Sequence, residues 1–265
     1  MKKNNADMRI GFFIIGTITL LALVSFVFTP YDIDAMDYLN KLKGPGFTHL
    51  FGTDNFGRDI FSRIMVGARF TLLVAISTVF GSAAIGSILG LFSGYNGGIW
   101  DELIMRLIDA VTSFPGILIA LVMVTVMKHG KYTIILALCI MFIPSFTRIV
   151  RAGTLQYKES EFVKNIRVFG GSDFRILFIH IFPNIFPTLL SSVVIGLSNA
   201  ILAESSMSYL GLGIQPPTPS WGRMLNEAQS TIFYAPWYTL APGLMIMITV
   251  IGFNSLGEGI RRKYC

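Results

Sequence analysis

Long apolar runs separated by short polar segments organise this chain. The first, residues 10–31, has about 22 residues, or roughly 33 Å as a helix, enough to cross a hydrocarbon core of about 30 Å. It is too long for a signal-peptide core and lacks a small-x-small cleavage site, so it reads as a retained anchor. Further runs cover 70–92, continuing uncharged to 100, then 110–127, 132–147, 185–203 and 240–256. The pattern predicts six membrane spans and an all-α polytopic fold. The run 132–147 is about sixteen residues, short for a crossing, and is predicted to continue as helix through Arg148 and Arg151. Within the second run Ser82, Gly86, Gly90 and Gly94 recur every four residues. One stripe of that helix is almost bare, which suits close packing on a neighbouring helix of the same chain.

The polar segments carry the candidate chemistry. In 148–187, Phe162, Ile166 and Phe169 fall at helical spacing while Glu159, Lys164 and Arg167 lie on other faces, the pattern of a short amphipathic helix. Gly170 and Gly171 end it, Ser172 can cap a second helix whose positive end suits Asp173, and Pro183 closes that helix about three turns later. The predicted product is a helical hairpin at about 148–184, a rigid knob that another protein can grip. Two short basic helices about a glycine turn also suit DNA, but the flanking spans hold this pair against a bilayer, so no nucleic-acid partner is expected. The bland alternative is a helix lying among lipid headgroups.

On the other side of the membrane two segments stand out. Residues 32–69, counted with the first span as a unit 1–69, hold turns at Gly52, Asp54, Gly57 and Asp59, and 60–68 is predicted to lie as a helix along the surface. Asp54, Arg58 and Asp59 read either as part of a fixed motif or as a solvated ion-pair cluster. Residues 70–265 form the remaining five-span core. In its outside segment, 204–239, Pro216, Pro217 and Pro219 stiffen an extended piece, and Trp221, Trp237 and Tyr238 suit the headgroup region. That segment is either a rim for a solute-binding protein or a lid packed on the bundle.

Composition agrees with a membrane protein: 53% of the 265 residues are hydrophobic and 14% charged. A net charge of +6 is read as basic cytoplasmic loops. Lys2, Lys3 and Arg9 precede the first span and Arg261, Arg262 and Lys263 follow the last, so both termini are expected in the cytoplasm. Cys139 and Cys265 form no disulfide framework, and His49, His129 and His180 are scattered. There is no GxxxxGK[ST] phosphate loop, and hence no expected ATP site, metal site or catalytic residue on this chain.

At least four separate motifs then carry a resemblance. The Gly170-Gly171-Ser172-Asp173 turn followed by Ile181-Phe182-Pro183-Asn184 resembles the EAA loop of the permease subunits of bacterial ABC importers. Glu161-Phe162-Val163 is similar to the branch that imports dipeptides, oligopeptides and nickel. The Gly-Thr-Asp, Gly-Arg-Asp and Gly-Ala-Arg pieces in 49–72, the third span from Arg106 through Asp109 to Pro115, and the Ser-Tyr-Leu-Gly-Leu-Gly and Pro-Thr-Pro-Ser-Trp-Gly runs after 204 fall in the same order. Lys164, Asn165 and Ile166 stand where the family usually has Glu-Ala-Ala, which implies a matching change on the ATPase.

The resemblance implies the type I importer permease fold in the bacterial inner membrane, with a homologous second permease, two ATPase subunits that hold the ATP and Mg, and an external solute-binding protein as partners. It implies that Glu161, Phe162, Lys164, Asn165, Ile166, Gly170, Gly171, Ser172 and Asp173 couple the chain to an ATPase. The small and polar residues of the fifth run make it the best candidate to line a path, with Ser192, Ser198 and Asn199 the residues named for that role, beside close helix packing as the equal alternative. Asp109 and Ser113 share a face one turn apart; Asp109 either lines the path or pairs with Arg106. Small peptides are the first expected solute and nickel or a metal chelate the second. The rivals are a secondary transporter, for which neither midplane coupling charges nor inverted repeats are evident, and a membrane-embedded enzyme.

Overall fold

In a computed structural model of the chain, residues 2–127 and 130–264 are described; Lys128 and His129, between the apolar runs 110–127 and 132–147, lie outside them, as do Met1 and Cys265. The helices are α1 (Lys2–Val24), α2 (Ile60–Asn96), α3 (Gly98–Ser113), α4 (Gly116–Met127), α5 (Lys131–Lys158), α6 (Glu161–Val168), α7 (Asp173–Arg175), α8 (Phe182–Tyr209), α9 (Trp221–Ala228) and α10 (Pro236–Tyr264). Among the described residues five helical stretches are long and apolar enough to cross a membrane: Asp7–Val24, Ile60–Asn96, Lys131–Lys158, Asp173–Tyr209 and Pro236–Tyr264. The pair α3 and α4, bent by 88°, makes a sixth if it is counted as one span.

Several boundaries differ from the apolar pattern for identifiable reasons. α1 stops at Val24 although the run continues to residue 31, because Ser25 turns away, its hydroxyl donating to Ala22 O and Met65 O, and Pro30 disfavours helix in the residue before it. Residues 60–68 do not lie along the surface. They are the first turns of α2, capped by the Asp59 carboxylate, which accepts the Ser62 N–H at 2.8 Å, and no breaker follows Ala68, so the helix runs through 69 and 70 to Asn96. The third run is not one straight span: Pro115 breaks it, and the 12 residues of α4 reach only roughly 18 Å. α5, with Pro144 inside it, does continue past 147 to Lys158.

Pro183 does not close the second hairpin helix. α7 passes through a π-helical turn, Ile176–Ile181, directly into α8. In that wider turn the Phe182 N–H donates to Leu177 O five residues back, which carries the chain past the ring of Pro183. α8 then runs beyond residue 203 to Tyr209, so Glu204 is buried inside a helix and does not begin an outside loop.

The bare stripe packs within the chain, as its spacing predicts. A Cβ built on Gly90 of α2 would stand 2.6 Å from Thr147 O and 2.9 Å from Arg151 N of α5; Gly86 and Gly94 meet Phe146 and Thr154 as closely. Glycine alone allows that approach. α8 and α10 run antiparallel, Gly257 against Ile195 and Ser198 against Val250, and Gly252 and Gly259 pack on Ile14 and Met8 of α1. The start of α1 and the end of α10 therefore lie at the end of the bundle from which α8 begins, the end that holds the hairpin.

Candidate functional site

The hairpin is built on the end of α5. Ser160 enters α6 in an extended conformation and Val163 is its fully buried residue, while Ile166 is half-buried. Phe169 does not join the packed face predicted for it; it stands 89% exposed, with Val168 at 83% and Phe174 at 70%. Three large apolar side chains around a rigid bend form a tip with nothing on it. Gly170 takes φ +80°, which few residues with a Cβ adopt, and the Gly171 N–H donates to Ile166 O at 3.0 Å. Ser172 caps the next turn, accepting the Arg175 N–H at 3.4 Å.

Tyr95, from the last turn of α2, fastens this bend. Its hydroxyl donates to the Asp173 carboxylate and accepts from Arg167 Nη2 at 3.2 Å, so one side chain of a long span touches both arms. The bond to the Tyr95 hydroxyl, first of several causes, holds the Arg167 guanidinium above the ordinary arginine pKa. Glu161 and Lys164 pair at 3.4 Å on the exposed side of α6, Phe162 lies beside Tyr157, and Asn165 is exposed with its carbonyl accepting the Phe169 N–H. A second brace lies close by: Arg151 of α5 bonds both oxygens of Asp101 at 2.6 Å, tying α3 to α5.

The residues named as path candidates divide. Ser198 is buried and donates to Val250 O of α10 at 3.4 Å. Asn199 is exposed, and Ser192 is half-buried with its hydroxyl on Thr188 O at 2.8 Å. With Thr188, Leu202 and Ser206 they mark one helix face that looks away from the chain's own bundle. Asp109 does not pair with Arg106. Arg148 of α5 reaches it at 2.8 Å, and Arg106 turns to Glu102, four residues before it on α3. The Ser113 hydroxyl donates to Ala110 O at 2.7 Å. These α3 residues and the α8 stripe are not brought together within one chain.

The opposite end of the bundle holds a feature that sequence reasoning missed in part. Asp54, Arg58 and Asp59 are buried, not solvated: Arg58 Nε bonds Asp54 at 2.6 Å, and Arg58 and Arg63 reach Glu227 Oε2 of α9 at 3.1 and 3.4 Å. Burial alone would depress the Arg58 pKa, but Asp54 and Glu227 outweigh it and hold the group above its usual value. Tyr238 donates to the same Glu227 oxygen, and Trp221 Nε1 donates to Ile64 O at 3.1 Å. Trp221 and Tyr238 are thus core residues and not headgroup anchors, and much of 204–239 is packed structure. Tyr95, Asp101, Glu204 and Glu227 carried no motif. Glu204, at the end of an apolar run, reads as the first residue of an outside segment, so its burial was not foreseen.

Residues 86–264 match the family described as the binding-protein-dependent transport system inner membrane component. The chain belongs to that family. This permease is 42% identical over 261 residues, 98% of its own length and 86% of the relative's, to the glutathione transport system permease protein GsiD of Escherichia coli O6:K15:H31 (strain 536 / UPEC). The same figures hold for the protein of that name in Shigella sonnei (strain Ss046). Its fold is similar to that of a chain of the MetNI methionine ABC transporter in an inward-facing conformation, with a TM-score of 0.60 over 76% of this chain and 96% of that one, at 18% identity. The motifs and the matches agree: the permease is an inner-membrane, multi-pass subunit of an ABC importer, in the dipeptide and oligopeptide permease branch, with the type I fold.

Proposed function

We propose that this permease admits small peptides, glutathione among them, by rocking against a homologous second permease, and that its hairpin takes the force from an ATPase. The observation that carries the reading is the exposed apolar tip at Val168, Phe169 and Phe174, joined through Tyr95 to α2. A partner that buries the tip moves both hairpin arms as one body, and Tyr95 passes that motion to a span of 37 residues. Glu161, Phe162, Lys164, Asn165, Ile166, Gly170, Gly171, Ser172 and Asp173 form or frame the docking surface. ATP and Mg sit on two ATPase subunits; closure of that pair turns the bundle outward and hydrolysis returns it. Solute arrives from an external binding protein and passes between the two permeases, along the face of α8 that bears Ser192 and Asn199. Asp109 and Ser113, which lie apart from that face within one chain, line a separate stretch of the path from α3. Both termini are cytoplasmic, at the hairpin end where Arg9, Arg261, Arg262 and Lys263 gather.

The glutathione name of relatives 42% identical over nearly the whole chain favours peptides over nickel or a metal chelate. The test is uptake into proteoliposomes holding the assembled importer, with glutathione, dipeptides and a Ni²⁺ chelate offered in turn. Uptake of the peptides that stops on ATP depletion with the ion gradient held supports the reading. Uptake of the nickel chelate alone overturns the solute, and uptake that persists without ATP overturns the mechanism in favour of secondary transport.

A further inference from the structure

A groove of about 800 Å³ runs between α1, α8 and α10 at the hairpin end of the bundle. Its walls are apolar, with Phe12 and Phe13 of α1 standing 73% and 75% exposed, Leu190 of α8 and Ile260 of α10 opposite them. Arg9 and Lys263 line one end of it. The other cations nearby are engaged: Arg262 bonds Asp7 at 3.0 Å and Glu258 at 2.8 Å, and Arg261 lies 4.0 Å from Glu258. Arg9 makes no ion pair among the described residues, and neither does Lys263, whose ammonium lies 5.0 Å from the Tyr264 ring. An apolar trough closed at one end by two cations that make no ion pair among the described residues is complementary to an amphiphile with a long hydrocarbon tail and an anionic head.

We infer that this groove is a binding site for an anionic glycerophospholipid, one acyl chain lying between α1 and α10 and the phosphate bonded by Arg9 and Lys263. Basic groups at the membrane surface attract anionic headgroups at short range, and the apolar walls supply the affinity for the chain. The site is distinct from the hairpin and from the α8 stripe. A lipid seated there joins α1 to α10 and so steadies the first helix, whose contacts with its own bundle include Ile18 and Ala22 and the close approaches at Gly11, Gly252 and Gly259.

The test uses the importer purified in mild detergent with whatever subunits stay bound, incubated with phosphatidylglycerol or phosphatidylcholine, and read by native mass spectrometry. Retention of phosphatidylglycerol well above phosphatidylcholine is expected. The double variant Arg9→Gln, Lys263→Gln is expected to lower that retention about thirty-fold, the worth of two surface cations. Gly16→Leu, at a groove position where an added Cβ meets nothing within 4 Å, keeps the charges and directs its side chain into the trough, and is expected to lower retention as well. Equal retention of the two lipids, or retention unchanged in both variants, overturns the site. So does cross-linking of another subunit to Gly16→Cys, which would show that protein and not lipid covers the groove.

Discussion

At the scale of single residues the account turns on polar groups that bind distant elements. Tyr95 holds Asp173 and Arg167 from a helix that ends far from them in sequence. Tyr95→Phe keeps the ring and its packing but removes both bonds, at a cost of about 1 kcal/mol. Uptake is therefore expected to fall several-fold while the assembled complex still forms and hydrolyses ATP, measured as transported solute per ATP consumed. At the opposite end Glu227 is shared by the buried Arg58 and Arg63. Glu227→Gln leaves two buried cations short of charge, and a loss of about 3 kcal/mol is expected as lowered thermal stability in detergent. Glu102→Gln, which breaks the exposed pair with Arg106, is expected to cost well under about 1 kcal/mol in the same assay. The long-range partners, Tyr95 with Asp173 and Arg167 and Glu227 with Arg58 and Arg63, were not legible in the sequence. Arg58 and Glu227 are 169 positions apart, and periodicity reports the face a residue lies on, not the residue it meets.

Among the elements, the apolar runs were legible because each span satisfies its backbone internally and shows lipid a continuous apolar surface. The stripe Ser82, Gly86, Gly90, Gly94 was legible for a similar reason, since a bare helix face has few uses besides close packing. Gly90→Leu drives a side chain into the α5 backbone, which cannot yield as a flexible side chain can, so loss of the assembled protein from the membrane is expected. Gly46→Ala, with nothing within 4 Å of the added carbon, is expected to express normally. The hairpin was half legible. Its first helix, the double-glycine bend and the Ser172 cap follow from local chemistry. Its fusion to α8 does not, because Pro183 ordinarily stops or kinks a helix and only the π-helical turn before it carries the chain through. Gly170→Trp forces a large residue into φ +80°, with strain of about 1–2 kcal/mol confined to an exposed bend. The fold is expected to survive and ATP hydrolysis to become uncoupled from uptake; normal uptake by this variant would count against the coupling role.

For the whole molecule, a stable core of packed spans carries three surfaces with nothing on them: the apolar tip, the polar face of α8 and the groove beside α1. The first two suit the partners an importer permease needs. The core itself is fixed by close glycine contacts and buried ion pairs, so force applied at the tip is transmitted and not absorbed. The most direct measurement places a cysteine at the tip, Phe169→Cys, in a background of Cys139→Ser and Cys265→Ser, and asks in membrane vesicles what it reaches. A cross-link to an ATPase subunit, formed from the cytoplasmic side and altered by nucleotide, is the predicted result. Labelling of that cysteine from the external side, or no cross-link to an ATPase with the tip buried in lipid, would contradict the account.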